Sequence, residues 1–161
     1  LIFRSAIVKR VKEQFALNLY GIHGLPHWSR VLNHGLMLGK AEGGDLEVIT
    51  LFALLHDAKR VIDGFDPEHG DRAADLAVVF RSDLFHMSDK QMDLLTTALK
   101  LHSDGLTNSD ITVMCCWDAD RLDLGRCGTV PSPEYLCTAT AKQPAIINQA
   151  VFWATFGRKR W

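Results

Sequence analysis

Residues 45–60 read DLEVITLFALLHDAKR. From Leu46 to Leu55 apolar residues fall on nearly every side, with neither a period of two nor a single stripe. Such a run is either a strand buried on both faces or a helix buried all round. Its length, and Asp45 standing where an N-cap belongs, favour a central buried helix. The run then stops on His56 and Asp57, adjacent groups that are both costly to keep dry.

Outward from this segment the hydrophobic spacing is helical throughout. Phe3, Ile7, Val11, Phe15 and Leu19 recur at i+4 and predict a first amphipathic helix. After YGIHGL, Pro26 suits the first turn of a second helix, carrying Val31, Leu32, Gly35 and Leu38 to about Glu42. KRVIDGFD reads as a loop, and Asp66-Pro67 opens a fourth helix through Ala73, Leu76, Ala77 and Phe80. Ser88 with Gln91 is a capping-box pattern for a fifth, along Met92, Leu95 and Leu99. Thr107 and Asp110 open a sixth, from Ile111 to about Leu124, and Pro144 opens a last helix over about 144–157. The expectation is an all-α single domain spanning 1–161, a bundle of about six to eight helices, without repeats or linkers.

Composition narrows the function. The 161 residues suffice for one sizeable core. A formal charge of −1 gives no global reason to expect a nucleic-acid polymer as partner. No apolar run reaches the ~18 residues of a membrane span, and no membrane is expected. Cys115, Cys116, Cys127 and Cys137 show no CxxC spacing and read as small hydrophobes in a reducing cytoplasm. The chain begins at Leu1 rather than Met, which leaves open an earlier start or a removed leader. The final NQAVFWATFGRKRW, with Phe152, Trp153 and Phe156, reads first as a helix closing the core and second as a homodimer contact.

Six polar residues stand out by their places on these helices. His27 lies in the first turn of the second; His56 and Asp57 end the third. His69 begins the fourth on its apolar face, His102 ends the fifth in line with Leu95 and Leu99, and Asp120 lies late in the sixth. In an up-and-down bundle the first five converge at one end, and Asp120 breaks that rule. Taken singly, each reads more simply as a hydrogen-bonded core histidine or an ion-paired carboxylate. Together, imidazole and carboxylate without sulfur suit a transition metal or magnesium.

HGLPHWSRV, LLHDAKR and DADRLD, in that order, resemble the three motifs of the HD superfamily of metal-dependent phosphohydrolases, over roughly residues 20 to 125. The resemblance implies an all-α core and a divalent ion (Mn, Mg, Fe, Co, Ni or Zn) held by His27, His56, Asp57 and Asp120. It also implies hydrolysis of a phosphate ester, with a nucleotide or related small phosphorylated molecule as substrate. Asp118 and Asp120 stand about 200° apart on a helix, so both do not face one ion. Asp120, followed by Arg121-Leu122, is taken as the ligand, and Asp118 is given a supporting or structural role. His69 and His102 correspond in order to extra histidines that hold a second metal in some members. His69 follows Asp57 closely for that pattern, and contact with substrate phosphate is preferred for both.

The chemistry implied is a divalent ion that supplies hydroxide near neutral pH, with cations around the spreading phosphoryl charge. Arg30, one turn beyond His27, is the leading cation, with Lys59, Arg60, Arg72 and Arg121 also in or beside the motifs. Arg121 has pairing with a nearby acid as its alternative. Asp57 is expected to bind through one oxygen and orient the attacking water with the other, and Asp63 to act as acid toward the leaving group. His23 and His34 read as loop and helix-surface residues, and His86 carries no signal. Two rival functions are a di-iron oxygenase using His69 and His102 as second-metal ligands, and a non-catalytic metal-binding regulatory domain.

Overall fold

Asp45 caps the central segment as its position suggests, its carboxylate accepting hydrogen bonds from the backbone of Glu47 and Val48. In the computed structural model, which describes residues 2–156 with side chains from Ser5 onward, the elements in order are α1 (Ile2–Gln14), α2 (Leu25–Glu42), α3 (Leu46–Leu55), α4 (His69–Asp83), α5 (Asp89–Leu101), α6 (Ile111–Leu122) and α7 (Pro144–Phe156). Two 3-10 turns, Asp123–Cys127 and Pro133–Tyr135, lie between α6 and α7, and no strand occurs among the described residues. Every α3 residue from Val48 to Leu55 is buried. That helix packs on α2, α5 and α6, with α1 and α4 also touching it, which is why no polar stripe could be read along it.

Local signals account for most helix ends. Both halves of the Ser88–Gln91 capping box form, and Pro26 sits in the first turn of α2. Three boundaries differ from the spacing. α1 stops at Gln14 rather than near Leu19, because Asn18 accepts the backbone N–H of Tyr20 and turns the chain. α4 begins at His69 rather than at Asp66-Pro67, since the Asp66 carboxylate is taken by Val61 N and by Arg72. α6 takes Asp110 alone as its cap and tightens to a 3-10 turn after Leu122.

The core is one contiguous cluster drawn from α1 to α7. On α7, Ile147, Ala150 and Ala154 turn inward while Phe152, Trp153 and Phe156 are exposed; the basic residues after Phe156 lie outside the described residues. No described helix is long and apolar enough to cross a membrane.

One close approach sets the later geometry. A Cβ on Gly70, at the start of α4, would lie 2.6 Å from Leu99 O and 2.8 Å from Lys100 O at the end of α5. Those neighbours are backbone and cannot swing aside. Gly70→Ala is therefore expected to lower the unfolding free energy by about 1–3 kcal/mol, measured by denaturant titration. Wild-type stability in that variant would show that the two helix ends are not tightly opposed.

Candidate metal centre

Each histidine of the cluster is anchored by one ring nitrogen. His56, the C-cap of α3, points Nδ1 at Phe52 O (3.3 Å) and stacks on the Phe52 ring. His102, the C-cap of α5, points Nδ1 at Leu99 O (2.7 Å). His69 Nδ1 faces Asp66 O, and His27 Nδ1 faces Asp123 Oδ2 at 2.7 Å. All four acceptors lack protons to give, so each Nδ1 is the donor and each neutral ring carries its lone pair on Nε2. That is the arrangement of metal-bound histidines, which donate their other N–H to a carbonyl or carboxylate.

The four Nε2 atoms converge in two pairs. His27 and His56 meet at 2.9 Å, and His69 and His102 at 2.8 Å. Lone pair facing lone pair at hydrogen-bond distance is repulsive unless positive charge lies between them. Asp57 stands between the pairs. Its Oδ2 is 3.4 Å from His27 Nε2 and 3.5 Å from His56 Nε2, while its Oδ1 is 3.6 Å from His69 Nε2. Asp120 Oδ1 joins the first pair at 3.3 Å from His27 Nε2 and 3.9 Å from His56 Nε2. Asp57 Oδ2 and Asp120 Oδ1 are buried with no hydrogen-bond partner. His27, His56 and Asp57 form one grouping able to hold an ion, and Asp57, His69 and His102 form another. One proton would relieve a single facing pair, whereas a cation uses the lone pairs and the carboxylate oxygens together. The residues fit a divalent metal.

The acidities carry the same message. Burial and Arg126 work against a charge on His27, yet the carboxylates of Asp120, Asp123 and Asp57 outweigh them and raise its pKa to about 9. Burial lowers His102 to about 4 and pushes His69 down as well, so both rings are neutral at pH 7. Burial opposes ionisation of Asp57 and Asp120, but His56 and His27 around the one, and His27 and Arg126 around the other, hold both well below the ordinary range.

A ring of arginines surrounds these groups. Arg30 grips Asp123 through Nε (2.6 Å) and a terminal nitrogen (3.0 Å), and Asp123 is fully buried. Arg60 donates to Asp57 Oδ1 at 2.8 Å and reaches the carbonyls of Gly64 and Ile62. Arg126 holds Ile22 O at 3.0 Å and lies 3.6 Å from Asp120. Arg72 instead clamps Asp66 and Lys59 O, and Lys59 reaches Gln14.

Several residues read from sequence lie elsewhere. The Asp118 carboxylate accepts from Cys137 N, Thr138 N and Thr138 Oγ1 at 2.7–2.8 Å, tying the segment after the second 3-10 turn to α6. Arg121 is a correction: its guanidinium lies over Trp117 and donates to Tyr135 O, with no carboxylate partner and no place in the cluster. Asp63 sits at the rim, 56% exposed, accepting from His23 Nδ1 at 2.8 Å. A solvated carboxylate held as a hydrogen-bond acceptor is poorly placed to be an acid. His69 and His102, read as phosphate contacts, take the placement of ligands, the alternative weighed for them. His34 is half-buried rather than on the surface, and Cys115 and Cys116 alone of the cysteines are fully in the core.

Three residues were missed. Asp123 lies three beyond Asp120 within the quoted DADRLD, the spacing that shares a helix face. His23 precedes His27 by four, and its buried ring lies 6.4 Å from that of His27. Arg126 had no signal beyond its proximity to the last motif.

Buried imidazoles and aspartates thus gather at the ends of α2 to α6 of a helical domain, in groupings that could hold a metal ion. A solved structure described as a predicted HD superfamily hydrolase, from an uncultured Thermotogales bacterium, superposes with a TM-score of 0.70 at 24% identity, covering 97% of this chain and 89% of that one. The chain thus shares the fold of that predicted HD superfamily hydrolase, the fold that the order of the motifs implies. No family model matches the sequence, and no curated protein matches it.

The purified protein is expected to carry a divalent metal that His56→Ala, Asp57→Ala and Asp120→Ala each deplete, while Asp118→Ala retains it at reduced thermal stability. Elemental analysis with circular dichroism decides this, and undiminished metal in the folded Asp57 variant would refute the assignment. In the metal-free protein His102 titrates near 4, whereas the unfolded chain takes that proton near the ordinary 6.5. The unfolded state therefore binds the proton first as pH falls, and stability drops between about pH 6.5 and 4. Thermal melts across that window should show a shallower fall for His102→Ala than for the wild type.

Proposed function

We propose that the protein is a metal-dependent phosphohydrolase that cleaves an ester of a small phosphorylated molecule. The observation carrying this is the convergence of two histidine pairs and two unpartnered carboxylate oxygens around Asp57. His27, His56, Asp57 and Asp120 would hold one divalent ion; His69 and His102, with Asp57, would hold a second. When bound, such an ion supplies hydroxide near neutral pH and polarises a phosphoryl oxygen.

Charge favours an anionic substrate. Asp57, Asp120 and Asp123 are matched by Arg30, Arg60 and Arg126, so these side chains nearly cancel. With a divalent ion bound, the net charge of these groups would be positive and would draw anions. Arg30 and Arg60 act mainly through the carboxylates they grip: Arg30 fixes Asp123 and hence the His27 ring, and Arg60 fixes Asp57. Free cysteines and the lack of a described membrane-crossing helix support placing this activity in the cytoplasm.

The second reading, a di-iron oxygenase, is favoured by the one carboxylate that both groupings share. Metal analysis and a panel of phosphate esters, including nucleotides, separate the readings. We expect metal-dependent phosphate release, abolished by chelation and restored by Mn or Mg. His69→Ala or His102→Ala should halve the metal content and lower turnover roughly 30- to 1000-fold, the effect of losing about 2–4 kcal/mol of transition-state stabilisation. Two irons per chain with oxygen-dependent turnover would instead establish the oxygenase, and bound metal without turnover of any ester would leave a regulatory domain.

A further inference from the structure

The segment after Asp57 combines a firmly held backbone with apolar side chains turned to solvent. Arg60 donates to Ile62 O and Gly64 O, Val61 N donates to Asp66, and Arg72 clamps Asp66. Yet Ile62 is 50% exposed and Phe65 is 88% exposed. Opposite them runs the turn before α2, where Tyr20 is 72% exposed although its backbone N–H is fixed by Asn18. The His23–Asp63 hydrogen bond at 2.8 Å joins these two segments. It stands three residues from Tyr20, one from Ile62 and two from Phe65.

This rim belongs to the metal centre. A single guanidinium, that of Arg60, separates Asp57 Oδ1 (2.8 Å) from Gly64 O (3.0 Å). The side chains of His27 and His56 are closed off from solvent, while Arg60, Asp120 and then Asp63 are progressively more open, and Asp63 lies on the loop whose carbonyls Arg60 holds. A connection that only turned the chain would be polar; exposed apolar residues on two segments joined beside a polar cluster mark a binding surface.

We infer that Tyr20, Ile62 and Phe65 form the specificity-determining rim of the site and take an apolar, ring-bearing body of the substrate while its phosphoryl group enters toward Asp57. The inference rests on the phosphohydrolase reading and adds what that reading leaves open. Tyr20 and Phe65 offer faces for a planar group, and Ile62 adds exposed apolar surface on the same loop as Phe65.

The test uses the metal-loaded protein and two alkyl esters of similar leaving group, 2-phenylethyl phosphate and ethyl phosphate. The wild type should favour the ring-bearing ester in kcat/KM by roughly tenfold or more, the scale of burying one ring. Tyr20→Ser combined with Phe65→Ser should erase most of that ratio with metal content retained, whereas Val78→Ser combined with Val79→Ser, exposed positions on α4, should leave the ratio unchanged. A wild-type ratio near one, or a ratio unmoved by the rim substitutions, overturns the inference. Calorimetry with 2-phenylethylphosphonate and ethylphosphonate provides an arm that needs no turnover. Tighter binding of the ring-bearing phosphonate, lost in the rim variant, sustains the rim even where neither ester is hydrolysed and the phosphohydrolase reading fails. Equal affinities, or no binding of either, overturn it.

Discussion

Positive charge beside Asp57 is the condition on which the arrangement depends. Four imidazoles have their Nδ1 protons committed to fixed acceptors, which leaves lone pairs opposed at 2.8 and 2.9 Å across a buried carboxylate. Isolated charges in such a place cost several kcal/mol each, and mutual compensation is the remedy. The helices add to the demand. His56 and His102 cap the C-terminal ends of α3 and α5, and Asp120 lies in the last turn of α6, so three negative helix ends approach the centre. The elevated pKa of His27, about 9, expresses the same demand as proton affinity.

What the sequence disclosed and what it withheld divide along the range of the interactions. The Asp45 cap and the Ser88–Gln91 box join residues a few positions apart, so their patterns could be read directly. The burial of α3 was legible because a helix surrounded by α2, α5 and α6 has no polar side to show. His27, His56, Asp57 and Asp120 stood out by falling at helix ends on otherwise apolar faces. His69 and His102 stood out in the same way, but their direct meeting at Nε2 could not be fixed from spacing, because it spans 33 residues and depends on α4 meeting α5 at Gly70. Asp123 serves His27 from 96 residues away, and its place three beyond Asp120 was the one local mark of that service. Arg121 shows the opposite failure: adjacency to a ligand suggested a role, while helix geometry turned its side chain to Tyr135 on another face.

The arginines explain how a centre so rich in carboxylates remains a folded interior. Arg30 holds Asp123 with two nitrogens, and that carboxylate in turn fixes the His27 ring. Such bidentate pairs order both partners, which makes Arg30 a support for the ligand set rather than a free hand for substrate. Arg126 spans Asp120 and the backbone of Ile22, tying the last ligand to the segment that leads into α2. Asp57 and Asp120 thus each have an arginine beside them and one buried oxygen without a hydrogen-bond partner.

Arg60 couples this interior to the rim. Its guanidinium bonds the carboxylate that both ion groupings share and the carbonyls of the loop bearing Ile62 and Phe65. Displacing that loop would loosen Asp57, and repositioning Asp57 would shift the loop. Any contact made with that loop would therefore be felt at the central carboxylate through one side chain. The adjacency of His56, Asp57 and Arg60 in the stretch that closes α3 is the covalent form of that linkage: the chain leaves its most buried helix through His56 and Asp57 and, from Val61 to Phe65, runs exposed to solvent.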